Sequence, residues 1–164
     1  MKGTKKIVLL GMCCAAAMIL SYVESFVPFG VPGLKVGLPN VVTVFLLYRF
    51  GWREAGAVSV VRCVLTSLLF GSVMSLAYSL AGGALSIAVM SLLKRCRLFS
   101  AVGVSVAGGI SHNAGQIAVA VAVMNTREIA YYMPVLAVGG TLAGIVIGIC
   151  GALVLHRFQR PDTK

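Results

Sequence analysis

The sequence predicts an all-α membrane protein with about six transmembrane helices and both termini in the cytoplasm. Of its 164 residues, 59% are hydrophobic and 11% are charged, and the mean hydropathy is +0.99. Soluble domains carry about twice that share of charged residues. Apolar runs recur from Ile7 to Leu155, and one span needs about 20 residues. We therefore expect a single integral membrane domain over residues 1–164, without a soluble domain.

The distribution of basic residues predicts the orientation. The six expected spans are residues 7–23, 38–50, 55–75, 76–93, 99–124 and 129–155. Eleven basic residues flank them on one side: Lys2, Lys5, Lys6, Arg49, Arg53, Lys94, Arg95, Arg97, Arg157, Arg160 and Lys164. The other side has only Lys35 and Arg127, so the positive-inside rule places both termini in the cytoplasm. The net charge of +10 thus reflects topology and attraction to anionic lipid, and no nucleic-acid partner is expected.

The first span resembles a secretory signal, with a basic start and an apolar centre before Ala15-Ala-Ala17. Its removal would leave five spans and break the charge alternation, so we interpret it as a retained helix. The five cysteines follow neither metal-site nor disulfide spacing. We expect them to be small packing residues.

Strongly polar residues lie inside two of the expected spans. Arg62 is about 12 Å from the cytoplasmic end of the third span, and a charge within a span is costly unless it faces protein, water or a ligand. In the fifth span, His112 and Gln116 share a helix face at the i, i+4 spacing, and Asn113 lies beside them. These residues predict a polar site inside the helix bundle.

The guanidinium of Arg62 would bind a carboxylate or phosphate as a forked donor. His112, Asn113 and Gln116 would then complete the hydrogen bonds to the polar end of the ligand. The outer ends of the first two spans add further polar residues that would line the entrance of the site: Glu24, Lys35 and Asn40. The alternative is structural: Arg62 pairs with Glu24 or caps helix carbonyls, and His112 and Asn113 hydrogen-bond across helices.

Small residues dominate the expected helix faces. Three glycine pairs at residues 82–83, 108–109 and 139–140 are typical of helices that approach closely in lipid. In the first span, Gly11 and Ala15 lie one turn apart, which suits docking of a partner subunit or packing within the chain. The sequence has no Gly-x-x-x-x-Gly-Lys-Ser/Thr loop, so ATP binding by that route is not expected.

Catalysis is not expected either. The chain has no paired aspartates, no Cys/His arrangement at metal-ligand spacing and no nucleophile elbow, and its one aspartate, Asp162, lies in the terminal tail. We predict no cofactor and no metal. The ligand would be a small molecule rather than a substrate for chemistry.

Several blocks of the sequence resemble one bacterial membrane family. They are Ser21-Tyr-Val-Glu-Ser-Phe-Val-Pro28, Lys35-Val-Gly-Leu-Pro-Asn40, Phe50-Gly-Trp-Arg-Glu54, Arg62 through Gly71, Ser79-Leu-Ala-Gly-Gly83 and Ser105-Val-Ala-Gly-Gly-Ile-Ser-His-Asn-Ala-Gly-Gln116. The family is the Gx transporter group, also called heptaprenyl diphosphate synthase component I. The resemblance covers nearly the whole chain.

The Gx transporter family is similar to the S components of energy-coupling factor transporters. That similarity implies a six-helix bundle in the bacterial cytoplasmic membrane that captures a vitamin-like ligand. It also implies docking on a transmembrane coupling subunit with ATPases, commonly through Ala-x-x-x-Ala in the first helix, where this chain has Gly11 and Ala15.

The family's enzyme name implies a different partner, a prenyl diphosphate synthase. Prenyl transfer holds diphosphates through magnesium on aspartate-rich motifs, which this chain lacks, so a role as an accessory subunit is the competing hypothesis. A stand-alone secondary carrier is the third.

Overall fold

The computed structural model describes residues 3–26 and 37–159, and within these ranges the chain is helical, without a strand. The helices are α1 (Gly3–Ser25), α2 (Asn40–Arg49), α3 (Trp52–Phe70), α4 (Val73–Cys96), α5 (Ala101–Met124) and α6 (Met133–Gln159). A 3-10 helix, Arg127–Tyr132, precedes α6. Lys35 lies outside the described residues, as does most of the segment that joins α1 to α2.

Four helical stretches in the described part of the chain are long and apolar enough to cross a membrane: Gly3–Glu24, Val73–Cys96, Ala101–Met124 and Arg127–Phe158. The third helix is not among them, because Arg53, Glu54 and Arg62 lie within its 19 residues. The second is apolar but has only 10 residues. The all-helical, membrane-type architecture predicted from composition is therefore confirmed, with four candidate spans.

The helix boundaries differ from the expected spans where local signals override hydropathy. The third helix ends at Phe70 rather than at residue 75, because the chain is extended at Gly71 and Ser72. The hydroxyl of Ser72 accepts a hydrogen bond from the Ser75 amide at 3.2 Å and so caps α4. Ser100 caps α5 in the same way through the Gly103 amide.

Neighbouring helices form a closed ring. The most extensive contacts join α5 to α6 and α4 to α5, followed by α3 with α4 and α1 with α3. The ring closes through α2, which packs against both α6 and α3. Between α2 and α3, Gly51 has a φ of 127°, a conformation that favours glycine, and this turn folds α3 back along α2.

The second helix is a half-length element inside the bundle. Five consecutive residues, Thr43 to Leu47, are buried, so the central part of α2 is enclosed on every side. Its 10 residues measure about 15 Å, half of the roughly 30 Å of a hydrocarbon core. The sequence predicts that Asn40 lies at the outer edge of the bundle. The structure instead places Gly37, three residues earlier, against Ile147 in the middle of α6, where the Ile147 Cδ1 would be 3.6 Å from an added Cβ.

The apolar core surrounds α2 at the end of the bundle where α3 begins and α4 ends, which we call the basic end. Core residues contributed by the other helices include Ala55, Val58, Met90, Val104 and Ile147. Lys94, near the end of α4, donates a hydrogen bond from Nζ to the Leu47 carbonyl at 2.6 Å and lies 5.0 Å from the centre of the Tyr48 ring. It thereby caps the C-terminal end of α2, where the helix dipole favours a cation.

Replacing Lys94 should therefore destabilise the bundle. We expect Lys94→Met to lower the free energy of unfolding by about 1–3 kcal/mol, because the partly buried carbonyl loses its charged donor. Thermal unfolding of the purified protein in detergent measures this loss. The control is Arg157→Met, which removes an exposed cation of α6 and should change stability by no more than about 0.5 kcal/mol. Equal losses in the two variants would show that the cap contributes nothing.

Glycines mark the closest helix contacts. A Cβ added at Gly115 of α5 would lie 2.7 Å from the Ala81 carbonyl oxygen of α4. One added at Gly140 of α6 would lie 3.0 Å from the carbonyl oxygen of Gly109. Both contacts are with backbone, which cannot move aside as a side chain can. Gly115 and two members of the glycine pairs, Gly109 and Gly140, thus lie at helix contacts, as small residues do in membrane bundles.

Candidate functional site

Arg62 is buried at the contact between α3 and α1, with 9% of its surface exposed. Its Nη1 donates to the Ser21 hydroxyl of α1 at 3.1 Å, and its Nη2 lies 3.5 Å from the Cys63 sulfur. Both acceptors are neutral. The Nε atom is also buried and has no acceptor among the residues that the structure describes. The guanidinium is thus only partly satisfied, which is costly for a buried charge.

The Ser21 face of α1 leads from Arg62 to a second polar group. Glu24 is one turn further along this face and is buried, with 8% exposed. Its carboxylate accepts a hydrogen bond from the Gly37 amide. Gly37 in turn contacts Asn40, whose Nδ2 would be 2.9 Å from a Cβ added at Gly37. Ser21 and Gly37 thus connect Arg62, Glu24 and Asn40 in a series of neighbours that leads to the start of α2.

His112 and Gln116 form a separate pair on α5. The Gln116 Nε2 lies 3.2 Å from the His112 Nε2, so the expected shared helix face is present. This face is turned toward α4, because a Cβ added at Gly82 would lie 2.9 Å from the His112 Cε1. Only glycine at position 82 leaves room for the imidazole ring.

Asn113 points in another direction. Its Nδ2 donates to the Leu136 carbonyl of α6 at 2.7 Å, and only 4% of the residue is exposed. It is also the nearest side chain to Gly140, with Nδ2 at 2.9 Å from an added Cβ. In this structure Asn113 therefore makes the cross-helix hydrogen bond that the structural alternative anticipated.

The fourth helix lies between the arginine region and the histidine pair. Gly83 faces Ser59 of α3, with Oγ at 3.4 Å from an added Cβ, whereas the preceding residue, Gly82, faces His112 of α5. Within the described residues, no hydrogen bond joins Arg62 to His112 or Gln116. The residues that sequence analysis grouped as one constellation thus form two polar regions and one structural contact.

Ser21 belongs to the site because its Oγ is the acceptor for Arg62. It is the site residue that the sequence alone did not indicate. In the sequence it stands out only as the first residue of a block that resembles the family. The available signal was its position one turn before Glu24, which puts two polar side chains on the same face of an otherwise apolar helix. Its own proton is directed to the Ala17 carbonyl at 3.0 Å.

The described residues contain no group of three side chains that could hold a metal ion. The arrangement offers a forked cationic donor, an amide and a carboxylate in one region, and an imidazole with an amide in the other. Such groups bind and orient a polar ligand by hydrogen bonds and charge. The fold and the site together define a helical membrane protein with buried polar groups.

The comparisons with known proteins identify the family. Residues 13–154 match the family described as heptaprenyl diphosphate synthase component I. The match covers most of the chain, so the chain belongs to this family, and the resemblance seen in the sequence is confirmed. Neither the search of curated proteins nor the search of solved structures found a match.

Proposed function

We propose that this protein is the substrate-binding membrane subunit of an energy-coupled uptake transporter for a small anionic or amphipathic metabolite. The observation that carries the proposal is the buried guanidinium of Arg62, which has neutral hydrogen-bond acceptors and an Nε atom without one among the described residues. A carboxylate or phosphate from a ligand would supply the missing acceptors and the compensating charge.

The short helix α2 supports an anion site in the same region. Its N-terminal end lies inside the bundle, against the middle of α6. A half-length helix whose positive dipole end points at the interior is a recurrent way for membrane transporters to bind anionic substrate groups. Asn40, at this end, would then contact the ligand together with Arg62, and Lys35 and Glu24 would act at the entrance.

His112 and Gln116 would form a second polar binding region, on the side of α4 that faces away from Arg62. Asn113 would position α5 against α6 through its bond to the Leu136 carbonyl. In the proposed topology α2 and α3 complete six membrane segments, and both termini face the cytoplasm of a bacterial inner membrane because the basic residues cluster on that side.

Energy for uptake would come from partner ATPases through a membrane coupling subunit, as in S components. The docking face would be the exposed side of α1 that carries Gly11 and Ala15, where a Cβ added at Gly11 meets nothing within 4 Å. Unoccupied small-residue faces of this kind suit close approach of a partner helix.

Copurification tests the proposal. A tagged chain expressed at native levels should recover a membrane coupling subunit and ATPases. The double variant Gly11→Leu, Ala15→Leu should reduce that recovery at least tenfold, because leucine side chains hold the partner backbone away. The control is Ala16→Leu, which adds the same bulk to an exposed position on another side of α1. Uptake by vesicles that lack ATPases would contradict energy coupling and support a stand-alone carrier.

The family description favours a second candidate, a non-catalytic membrane component of a heptaprenyl diphosphate synthase. In that role the chain would anchor or assist a soluble synthase, and Arg62 would have a structural role or contact the diphosphate of a prenyl chain. Recovery of a soluble prenyl diphosphate synthase alone, without ATPases, would support this function and contradict the transporter.

A further inference from the structure

A groove separates α3 from α4 on the outside of the bundle. It has a volume of about 670 Å³ and is open along one side. It exists because small residues line both helices where they face each other, among them Gly56, Gly83, Ala84 and Ala88. The two helices contact each other less extensively than α4 and α5 do.

The groove is apolar along its length and has the dimensions of a lipid chain. Its walls include Val60, Leu80 and Ile87. From Trp52 to Cys63 along α3 it extends about 16 Å, which is close to the depth of one leaflet, half of a hydrocarbon core of about 30 Å. A single extended hydrocarbon chain therefore matches the groove in both length and polarity.

Cationic side chains converge at one end of the groove, the basic end of the bundle. Arg53 and Arg95 line the groove itself. An adjoining cavity of about 350 Å³ shares Arg95 and Trp52 with it and adds Lys94 and Arg97. The Arg53 guanidinium lies 5.5 Å from the Trp52 ring centre. This end is thus a cationic pocket bordered by an aromatic side chain, as expected where a chain meets the membrane–water interface.

Within the described residues, no carboxylate neutralises the charges of Arg53 and Arg95 completely. The acidic residues described are Glu24, Glu54 and Glu128. Glu54 is next to Arg53 in the sequence, but its Oε1 forms an ion pair with the Lys6 Nζ at 2.5 Å. Glu24 lies near the far end of α1, and Glu128 lies beyond α5 in the 3-10 helix. An arginine pair with this arrangement can bind a phosphate group with charge-assisted hydrogen bonds.

We propose that the α3–α4 groove binds an anionic membrane phospholipid, with one acyl chain along the groove and the phosphate between Arg53 and Arg95. Basic pockets between helices near one membrane surface are typical sites for anionic lipid head groups. The head-group end of the groove, at Arg53, lies about 13 Å along α3 from Arg62, although the far end of the groove reaches Cys63, whose sulfur contacts Arg62. The proposal does not depend on the proposed transport function. The bound lipid would fill the gap that the small residues leave.

Trp52 is the only tryptophan of the chain and lines both cavities, so its fluorescence reports on this site. The purified protein is reconstituted in phosphatidylcholine vesicles that contain increasing amounts of brominated phosphatidylglycerol or brominated phosphatidylcholine. We expect brominated phosphatidylglycerol to reach half-maximal quenching at a mole fraction at least fivefold lower than brominated phosphatidylcholine does. The reason is that each basic residue near a membrane surface increases the affinity for anionic lipid about fivefold. Equal quenching by the two lipids would overturn the proposal.

Variants assign the effect to the groove. The double variant Arg53→Gln, Arg95→Gln should abolish the preference for phosphatidylglycerol, and Ala88→Leu should weaken quenching by filling the groove while retaining the cations. The control is Arg157→Gln, an exposed arginine of α6 that lines neither cavity. An equal loss in the Arg157 variant would show a general surface charge effect and overturn the proposal.

A competition experiment distinguishes the occupant. Unlabelled phosphatidylglycerol should relieve the quenching by its brominated form in proportion to its mole fraction, and a polyprenyl phosphate should be no more effective. Relief by the polyprenyl phosphate at a tenfold lower mole fraction would overturn the assignment to a phospholipid, in favour of an isoprenoid lipid.

Discussion

Arg62→Ala should abolish binding of the small-molecule ligand while leaving the protein folded. Loss of a buried charged partner typically costs about 2–5 kcal/mol of binding free energy, which corresponds to a decrease in affinity of about 30-fold to several thousand-fold. Native mass spectrometry of the purified protein would show the ligand bound to the unsubstituted chain and absent from the variant.

The stability of the same variant is the discriminating measurement. The guanidinium is buried with neutral acceptors, so its removal relieves a desolvation cost. Ser21 still donates to the Ala17 carbonyl and loses only a donor. We therefore expect an unchanged or higher melting temperature for the ligand-free protein.

Two further variants complete the test of Arg62. Arg62→Lys keeps the positive charge but loses the planar, two-pronged set of guanidinium donors, so the variant should bind the ligand only weakly. Arg127→Ala removes an exposed arginine of the 3-10 helix and should bind normally. A ligand-free Arg62→Ala protein that unfolds many degrees earlier than the unsubstituted protein would make the arginine structural and contradict its role in binding.

Gly115→Val should prevent correct assembly of the bundle. The added Cβ would meet the Ala81 carbonyl oxygen at 2.7 Å and the Gly82 Cα at 2.9 Å, so α5 must move away from α4. Overpacking costs about 1–3 kcal/mol even where side chains can adjust, and here the neighbours are backbone. We expect a melting temperature at least about 6 °C lower, and a smaller monodisperse fraction in size-exclusion chromatography.

Gly56→Ala is the matched control for Gly115→Val. It also replaces a helical glycine, but a Cβ added at position 56 meets nothing within 4 Å. Its effect should be confined to helix propensity, where alanine is favoured by up to about 1 kcal/mol. If both variants retained full stability, the contact between α4 and α5 would be looser than the structure shows.

The helical architecture was predictable because membrane-type composition leaves few alternatives. The length of α2 was not. Hydropathy predicts an apolar segment from residue 38 to residue 50, but it does not distinguish a segment that faces lipid from one that is enclosed by protein. An apolar stretch of 10–14 residues is more often a buried core helix than a span, and that consideration favoured the structure that is observed.

The candidate site was predictable in part. Arg62 stands out from sequence because a charge inside an apolar stretch is rare, and helical spacing correctly pairs His112 with Gln116. The spacing of residues along a helix does not reveal which neighbouring helix each of its faces contacts, since that depends on how the helices are rotated about their axes. Asn113 therefore turned out to contact α6, and Ser21, an ordinary residue in an apolar helix, turned out to contact Arg62.

The enclosure of α2 has a consequence for biogenesis. A segment of 10 residues is too short to insert stably on its own, and one of its main packing partners, α6, follows it in the chain only after α3, α4 and α5. During translation α2 would therefore be made before the helix that completes its packing. Until α6 is in place, the surface of α2 that α6 covers in the finished bundle would be left without its native neighbour.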